Sequence, residues 1–267
     1  MKKYLFLGLM GSATIFTSCS SDDNEIINES SEKKLLLSKV TTIYYDNPSN
    51  PETTVSTFEY NSQGELIKML SGGRSSVFEY SNGKPTKVNY YTPTQTLEYY
   101  AVFNYNGNQL VDIKAIYTNP GFNRKSTYTY NSNGKLVSST HCQSEDCSNP
   151  GTSTYTYGGD NISVETSTLG GTISSTYKRE FSYDDKLSPF TNTNKYMRIM
   201  IEGAYSLSKN NYTAEKISYR NSDGSWTQNQ SNTYTIQYNS AQLPIQVVGK
   251  QANGNNYVQY NYEYITQ

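Results

Sequence analysis

Few side chains in this sequence have the chemistry that active sites commonly use. There is one histidine, His141, and there are three cysteines, Cys19, Cys142 and Cys147. A Ser-His-Asp relay, a Cys-His pair or a two-histidine zinc site all depend on imidazole, so any of them would have to run through His141. That residue opens the polar stretch His141-Cys142-Gln143-Ser144-Glu145-Asp146-Cys147. In an exported chain, two cysteines closing a short loop form a disulfide. The alternative is a metal site using His141, both thiolates and Glu145 or Asp146. No second Cys/His cluster stands elsewhere to complete it, and no metal or other cofactor is expected. Paired carboxylates are the remaining route. Glu59 and Glu79 precede equivalent tyrosines and could serve a glycoside hydrolase if held about 5–5.5 Å or about 6.5–9.5 Å apart. Acids at such places also solubilise a sheet surface. No Gly-rich phosphate loop occurs in a strand–loop–helix context.

The elements that must position these groups follow from composition and repetition. Of 267 residues, 27 are Tyr, against 8 Phe and 1 Trp, and only 17% are charged. Tyr, Thr, Ser and Asn are weak helix formers, while tyrosine at this density carries enough buriable area to exclude disorder. The net charge of −1 excludes the basic stripe that nucleic-acid binding needs. An aromatic-x-Tyr pair recurs about every 25 residues, at Phe58–Tyr60, Phe78–Tyr80, Phe103–Tyr105, Tyr128–Tyr130, Tyr155–Tyr157 and Phe181–Tyr183. Looser copies follow at Ile217–Tyr219, Ile236–Tyr238 and Tyr260–Tyr262. Strand alternation puts both aromatics on one face and the polar middle residue on the other. A turn follows, as in Asn61-Ser62-Gln63-Gly64 and Asn131-Ser132-Asn133-Gly134, and the return strand opens with an apolar residue such as Leu66, Leu110 or Leu136. Each repeat is therefore one β-hairpin. The expected fold is all-β, a continuous antiparallel meander of hairpins coiled into a spiral or partly closed barrel.

One segment breaks the rhythm. Over residues 187–211 the period lengthens, and the stretch contains Tyr196-Met197-Arg198-Ile199-Met200-Ile201-Glu202. It is expected to be a short helix or irregular plug on the apolar face, either covering core or lining a pocket. Tyrosine also suggests recognition, because its ring is an apolar body with a polar tip. The pairs Tyr44-Tyr45, Tyr90-Tyr91 and Tyr99-Tyr100 put adjacent rings on opposite faces of a strand. Their outward members, together with Tyr196 in the insertion, are the candidate ligand contacts.

The N-terminus reads as an address. Met1-Lys2-Lys3, an apolar run from Tyr4 to Phe16, and Thr17-Ser18-Cys19 make a secretory signal. The run is too short to span a bilayer comfortably. Phe16-Thr17-Ser18-Cys19 resembles a bacterial lipobox, which implies lipidation of Cys19 and a lipid anchor in the outer membrane. Ser20-Ser21-Asp22-Asp23-Asn24-Glu25 is similar to the acidic signal that sends lipoproteins of Bacteroidota to the cell exterior; it would also serve as a solvated tether. Tyr-Asn-Ser-x-Gly-x-Leu, at Tyr60 to Leu66 and Tyr130 to Leu136, resembles the YD repeat of RHS-type shell proteins, with Asn where that repeat has Asp. Joined to the lipobox, and with Asp184-Asp185-Lys186-Leu187-Ser188-Pro189-Phe190, it is most similar to Bacteroidota surface lipoproteins with YD-like hairpins.

The expected organisation is a signal peptide over 1–18, an acidic tether over 19–38 and one hairpin-repeat domain over 39–267. The functional expectation is a non-catalytic, outward-facing surface lipoprotein that binds a glycan or protein ligand. A structural subunit of an outer-membrane complex and a carboxylate-dependent hydrolase are the alternatives.

Overall fold

The computed structural model describes residues 34–144, 146–171 and 175–267. The expected signal segment and Cys19 lie outside them. Sixteen antiparallel strands run in chain order around a closed barrel. They are β1 (Leu35–Tyr44), β2 (Glu52–Tyr60), β3 (Leu66–Ser71), β4 (Arg74–Ser81), β5 (Lys84–Tyr91), β6 (Leu97–Asn106), β7 (Gln109–Tyr117), β8 (Arg124–Tyr130), β9 (Leu136–Cys142), β10 (Gly151–Gly158), β11 (Asn161–Leu169), β12 (Ser175–Leu187), β13 (Asn210–Arg220), β14 (Trp226–Tyr238), β15 (Pro244–Gln251) and β16 (Asn256–Thr266). β1 pairs with β16, and Lys34 and Gln267 exchange backbone hydrogen bonds of 2.8 and 3.0 Å at the seam. The barrel is thus fully closed, beyond the partial closure expected. β1 begins at Leu35, so residues 35–38 belong to the wall and not to the tether.

The repeat motif explains one end of the barrel. In the β2–β3 hairpin, Asn61 Oδ1 accepts from the backbone N–H groups of Gln63 and Glu65 at 3.1 and 3.0 Å. Gly64 takes φ +76°, open to glycine without penalty. The turn after Tyr130 is built the same way from Asn131. Immediately before the turn, each of the seven hairpins at this end shifts register at its repeat tyrosine. Tyr60 opposes Leu66 while Glu59 opposes Lys68, leaving Ile67 unmatched. Such a bulge adds twist and bends the strand. It also sets Leu66 facing inward beside Tyr60, and Lys68 outward beside Glu59.

Between hairpins the backbone ladder stops short of this end. β3 and β4, for example, pair only from Lys68–Val77 onward. The phenol of the repeat tyrosine takes over, donating to the carbonyl of the inward residue that opens the preceding return strand. Six such bonds span the described wall. They are Tyr60 to Leu37 (2.7 Å), Tyr80 to Leu66 (3.0 Å), Tyr105 to Pro85 (2.6 Å), Tyr130 to Leu110 (2.8 Å), Tyr183 to Ile162 (2.6 Å) and Tyr264 to Pro244 (2.8 Å). Proline is tolerated at 85 and 244 because the position supplies a carbonyl and sits at a strand start.

The lumen is filled. Phe78, Val88, Ala101, Phe103, Leu110, Tyr128, Leu136, Tyr155 and Ile162 form its core. The 187–211 insertion folds into it as a plug with two short helices, α1 (Lys195–Ile201) and α2 (Ala204–Leu207), burying Tyr196, Met197 and Ala204 in the same cluster. Asn194 caps α1 and also reaches the Gly83 carbonyl, while Arg198 holds the carbonyls of Ser206, Leu207 and Ser208 at 2.6–3.0 Å. Asp184 stands where the plug displaces the wall, and its carboxylate accepts the Tyr238 phenol in place of a backbone carbonyl.

The outer face carries charge. Lys39–Glu263, Glu59–Lys68, Glu79–Lys87 and Lys178–Glu180 pair at 2.8–3.6 Å across it. A membrane-spanning barrel turns an apolar band outward; this wall turns lysine and glutamate outward and the aromatic pairs of its repeat inward.

The Tyr105→Phe substitution removes one phenol–carbonyl bond and leaves the Pro85 carbonyl unpaired. It is expected to cost about 1 kcal/mol in urea unfolding, whereas Tyr100→Phe, on the outer face, should leave the midpoint unchanged. Equal effects from the two would remove the role assigned to the inward phenols.

Candidate functional site

Alternation around the barrel sorts the expected contacts. Tyr90 and Tyr99 oppose each other in β5 and β6, Tyr99 opposes Tyr117 in β7, and all three face the lumen. Their rings stack in series with centroids 4.3 and 4.4 Å apart. Tyr91 and Tyr100 lie on the outer face, with Lys87 Nζ 4.9 Å from the Tyr100 ring. Tyr44 shares the inward parity of Thr42 and is 40% exposed at the rim, while Tyr45 on the other face reaches Gln259. Tyr196 is only 4% exposed, and its hydroxyl is committed to the Asn108 carbonyl at 3.1 Å. The rings stacked on one another are the inward Tyr90, Tyr99 and Tyr117, while Tyr91 and Tyr100 stay on the outer face and Tyr196 in the plug.

The stack forms one wall of a cavity of about 310 Å³ at the end of the barrel opposite the plugged turns. The other walls come from Ala101, Ile113, Ala115, Arg124, Lys125, Ser126, Tyr128 and His141 of the barrel and from Met200 and Glu202 of the plug. His141 Nδ1 lies 2.9 Å from Ser126 Oγ, and His141 Nε2 lies 3.3 Å from Glu202 Oε2. The same Glu202 oxygen accepts from Ser139 at 2.7 Å and Tyr155 at 2.9 Å. The hydrogen bond to Glu202 raises the His141 pKa above its ordinary value, and partial burial opposes the rise. Burial raises the Tyr90 hydroxyl to about 12, with Tyr117 adding to it, so that phenol is a neutral donor at physiological pH.

Hydroxyl, imidazole and carboxylate stand in the order used for acyl transfer. The surroundings do not complete that machinery. Ser126 is paired mid-sheet with Ile113 of β7 and His141 of β9, so its strand has no free amides to aim at an oxyanion. Glu59 and Glu79, the expected carboxylate pair, lie outside the barrel on β2 and β4, separated by β3 and paired with Lys68 and Lys87. Cys142 and Cys147 are disulfide-bonded with Cα atoms 4.6 Å apart. Their thiolates are therefore consumed and the metal alternative at His141 lapses.

A second polar cluster lies deeper. Arg179 Nε is 3.0 Å from Glu215 Oε1, and Glu215 Oε2 also accepts from Tyr234 at 2.9 Å. Glu165, 6% exposed, has Arg179 Nη1 at 4.0 Å, and its Oε2 lacks a partner. Burial raises its pKa, with Arg179 pulling the other way.

Glu202, Ser126, Tyr117 and Arg124 were not singled out from sequence, although a signal for their side of the barrel exists. Where the first aromatic of the repeat is Phe, it faces apolar lumen; at 128 and 155 it is Tyr, and the Tyr155 hydroxyl meets Glu202. Both tyrosines flank the strand that carries His141.

No protein-family model matches the chain, and no curated protein matches it. Among solved structures, it is similar to a porin-like protein from Bacteroides uniformis at 15% identity, covering 86% of this chain and 96% of that one with a TM-score of 0.55. It also aligns with a porin-like protein from Bacteroides vulgatus at 10% identity, 87% and 99% coverage and a TM-score of 0.43. A Photorhabdus luminescens Tc holotoxin pore structure aligns at 11% identity over 83% of this chain and 14% of that one, with a TM-score of 0.31. The first of these supports the barrel fold.

The His141–Glu202 pair ties the plug to the wall, and its pH dependence has a definite sign. A histidine whose folded pKa is raised contributes stability that is present below the unfolded value of about 6.5 and lost as pH rises through the folded value. The melting temperature of the native protein should therefore exceed that of Glu202→Gln by more at about pH 6 than at about pH 8.5. A gap that is unchanged or wider at the alkaline end would contradict the pairing.

Proposed function

We propose that this protein is a non-catalytic β-barrel lipoprotein, anchored through Cys19 in the outer membrane, that binds a saccharide at the mouth of its lumen. The observation that carries this reading is the cavity of about 310 Å³ walled by the stacked Tyr90, Tyr99 and Tyr117 and faced by polar groups of the barrel. A concave site with aromatic walls and a few fixed polar groups is the usual form of a small-molecule site, and its size lies at the lower end of the usual range of about 300–1,000 Å³. The lipobox-like Phe16-Thr17-Ser18-Cys19 supports the anchor. The charged outer wall supports a barrel that stands in water beside the bilayer, while the porin-like Bacteroides neighbour lends its fold and not a conducting pore. The acidic Ser20–Glu25 segment favours the exterior leaflet.

Two measurements test this. On an oligosaccharide array, Tyr99→Ala should weaken every genuine interaction about tenfold or more, corresponding to about 1.4 kcal/mol, while the outward Tyr100→Ala should not. An interaction lost in Tyr100→Ala and kept in Tyr99→Ala would move the site to the outer face. In detergent phase separation, the native protein should enter the detergent phase and Cys19→Ala the aqueous phase. A Cys19→Ala protein that still partitions with detergent would mean that the wall itself meets lipid.

A further inference from the structure

The polar groups facing the cavity are unbalanced in kind, and the imbalance points to the ligand's charge. Arg124 stands at the rim on the inward parity of β8, exposed, with no carboxylate within ion-pair distance among the described residues. The three stacked tyrosines carry phenol hydroxyls into the cavity lining. Ser126 and Tyr128 add hydroxyls. Glu202 is the one carboxylate on the cavity wall, and its Oε2 already accepts from Ser139, Tyr155 and His141. Lys125 leans away toward Asp112, 4.0 Å distant on the outer face. The open mouth therefore offers a guanidinium without a carboxylate partner among the described residues, and several hydroxyl donors, while Glu202 is engaged.

We infer that this cavity selects a sugar bearing a carboxylate, a uronate-type residue whose carboxylate meets Arg124 while its ring and hydroxyls lie against the tyrosine stack. The inference rests on the lumen-binding reading above and adds the charge of the ligand. A guanidinium fork matches the two oxygens of a planar carboxylate and forms a bidentate pair. Glu202 lines the same cavity as Arg124, which makes a dianion such as phosphate a poorer occupant than a monoanion, because like charges in a partly desolvated site repel. A neutral hexose would leave Arg124 facing the cavity without a counter-charge.

The test is calorimetric titration of the full-length protein in detergent micelles with two sets of oligosaccharides matched in length, one of uronates and one of neutral hexoses. Inorganic phosphate serves as a competitor. The uronate set is expected to bind at least tenfold more tightly than the neutral set. Arg124→Ala should erase that preference, and Arg124→Lys should restore part of it, since a point charge replaces the fork. Melting curves of both variants confirm folding, which a rim side chain should not disturb. Neutral sugars binding as tightly as uronates, with Tyr99→Ala still damaging both, would overturn the charge inference and leave the lumen site standing. Phosphate displacing uronates at equal concentration would overturn the carboxylate preference. Binding of neither set, or binding indifferent to Tyr99→Ala, would overturn the lumen reading and this inference with it.

Discussion

The architecture depends on one recurrent interaction, the hydrogen bond from an inward phenol to the first carbonyl of the neighbouring return strand. Bulges at the seven hairpins bend the strands enough to curl a sixteen-stranded sheet. That bending also ends the backbone ladder between adjacent hairpins before the turn end is reached. Carbonyls left facing an apolar lumen would each cost a desolvation penalty. A phenylalanine could fill the space but not pair the carbonyl. This accounts for an asymmetry in the repeat: its first aromatic is Phe or Tyr, whereas its second, from position 60 through 183, is always Tyr. The tyrosine abundance is in large part a structural requirement of bulged, closing hairpins.

The same wall is graded from apolar to polar. Inward positions on the return strands hold Met69, Val88 and Ile113 in the early hairpins, but Ser139, Glu165 and Glu215 in later ones. The plug is graded to match. Met197 and Tyr196 enter the apolar half, and Glu202 turns toward Ser139, His141 and Tyr155. Glu202 does so at φ +58°, a backbone conformation uncommon for a side chain of its size. Strain of that kind persists where surrounding contacts over-determine a residue, and three donors converging on one carboxylate oxygen are such contacts. The plug is therefore registered against the wall by polar pairing at its tip and by Asn194, which reaches the Gly83 carbonyl, at its base.

The sequence made the hairpin, its turn chemistry, the inward face and the interrupting segment legible, because all of these are local and periodic. It did not reveal closure, which depends on β1 meeting β16 across more than two hundred residues of chain. The cavity wall was half legible. The pairs Tyr90-Tyr91 and Tyr99-Tyr100 stand out in the sequence, whose periodicity assigns inward rings to core. That holds at the plugged end, where Tyr105 packs edge-on against Tyr196. At the other end Tyr90, Tyr99 and Tyr117 stack on one another and also line a cavity with Met200 and Glu202 of the plug. Glu202 was beyond sequence reasoning because its partners lie 47 to 63 residues away.

The two ends of the barrel consequently differ in kind. β1 starts at the turn end, where Lys34 pairs with Gln267 and where the plug enters. The tyrosine stack, Arg124, His141 and the Cys142–Cys147 loop all lie at the opposite end. The plug packs into the core from the turn end and stops at Glu202, so it supports the core without occupying the cavity it helps to line.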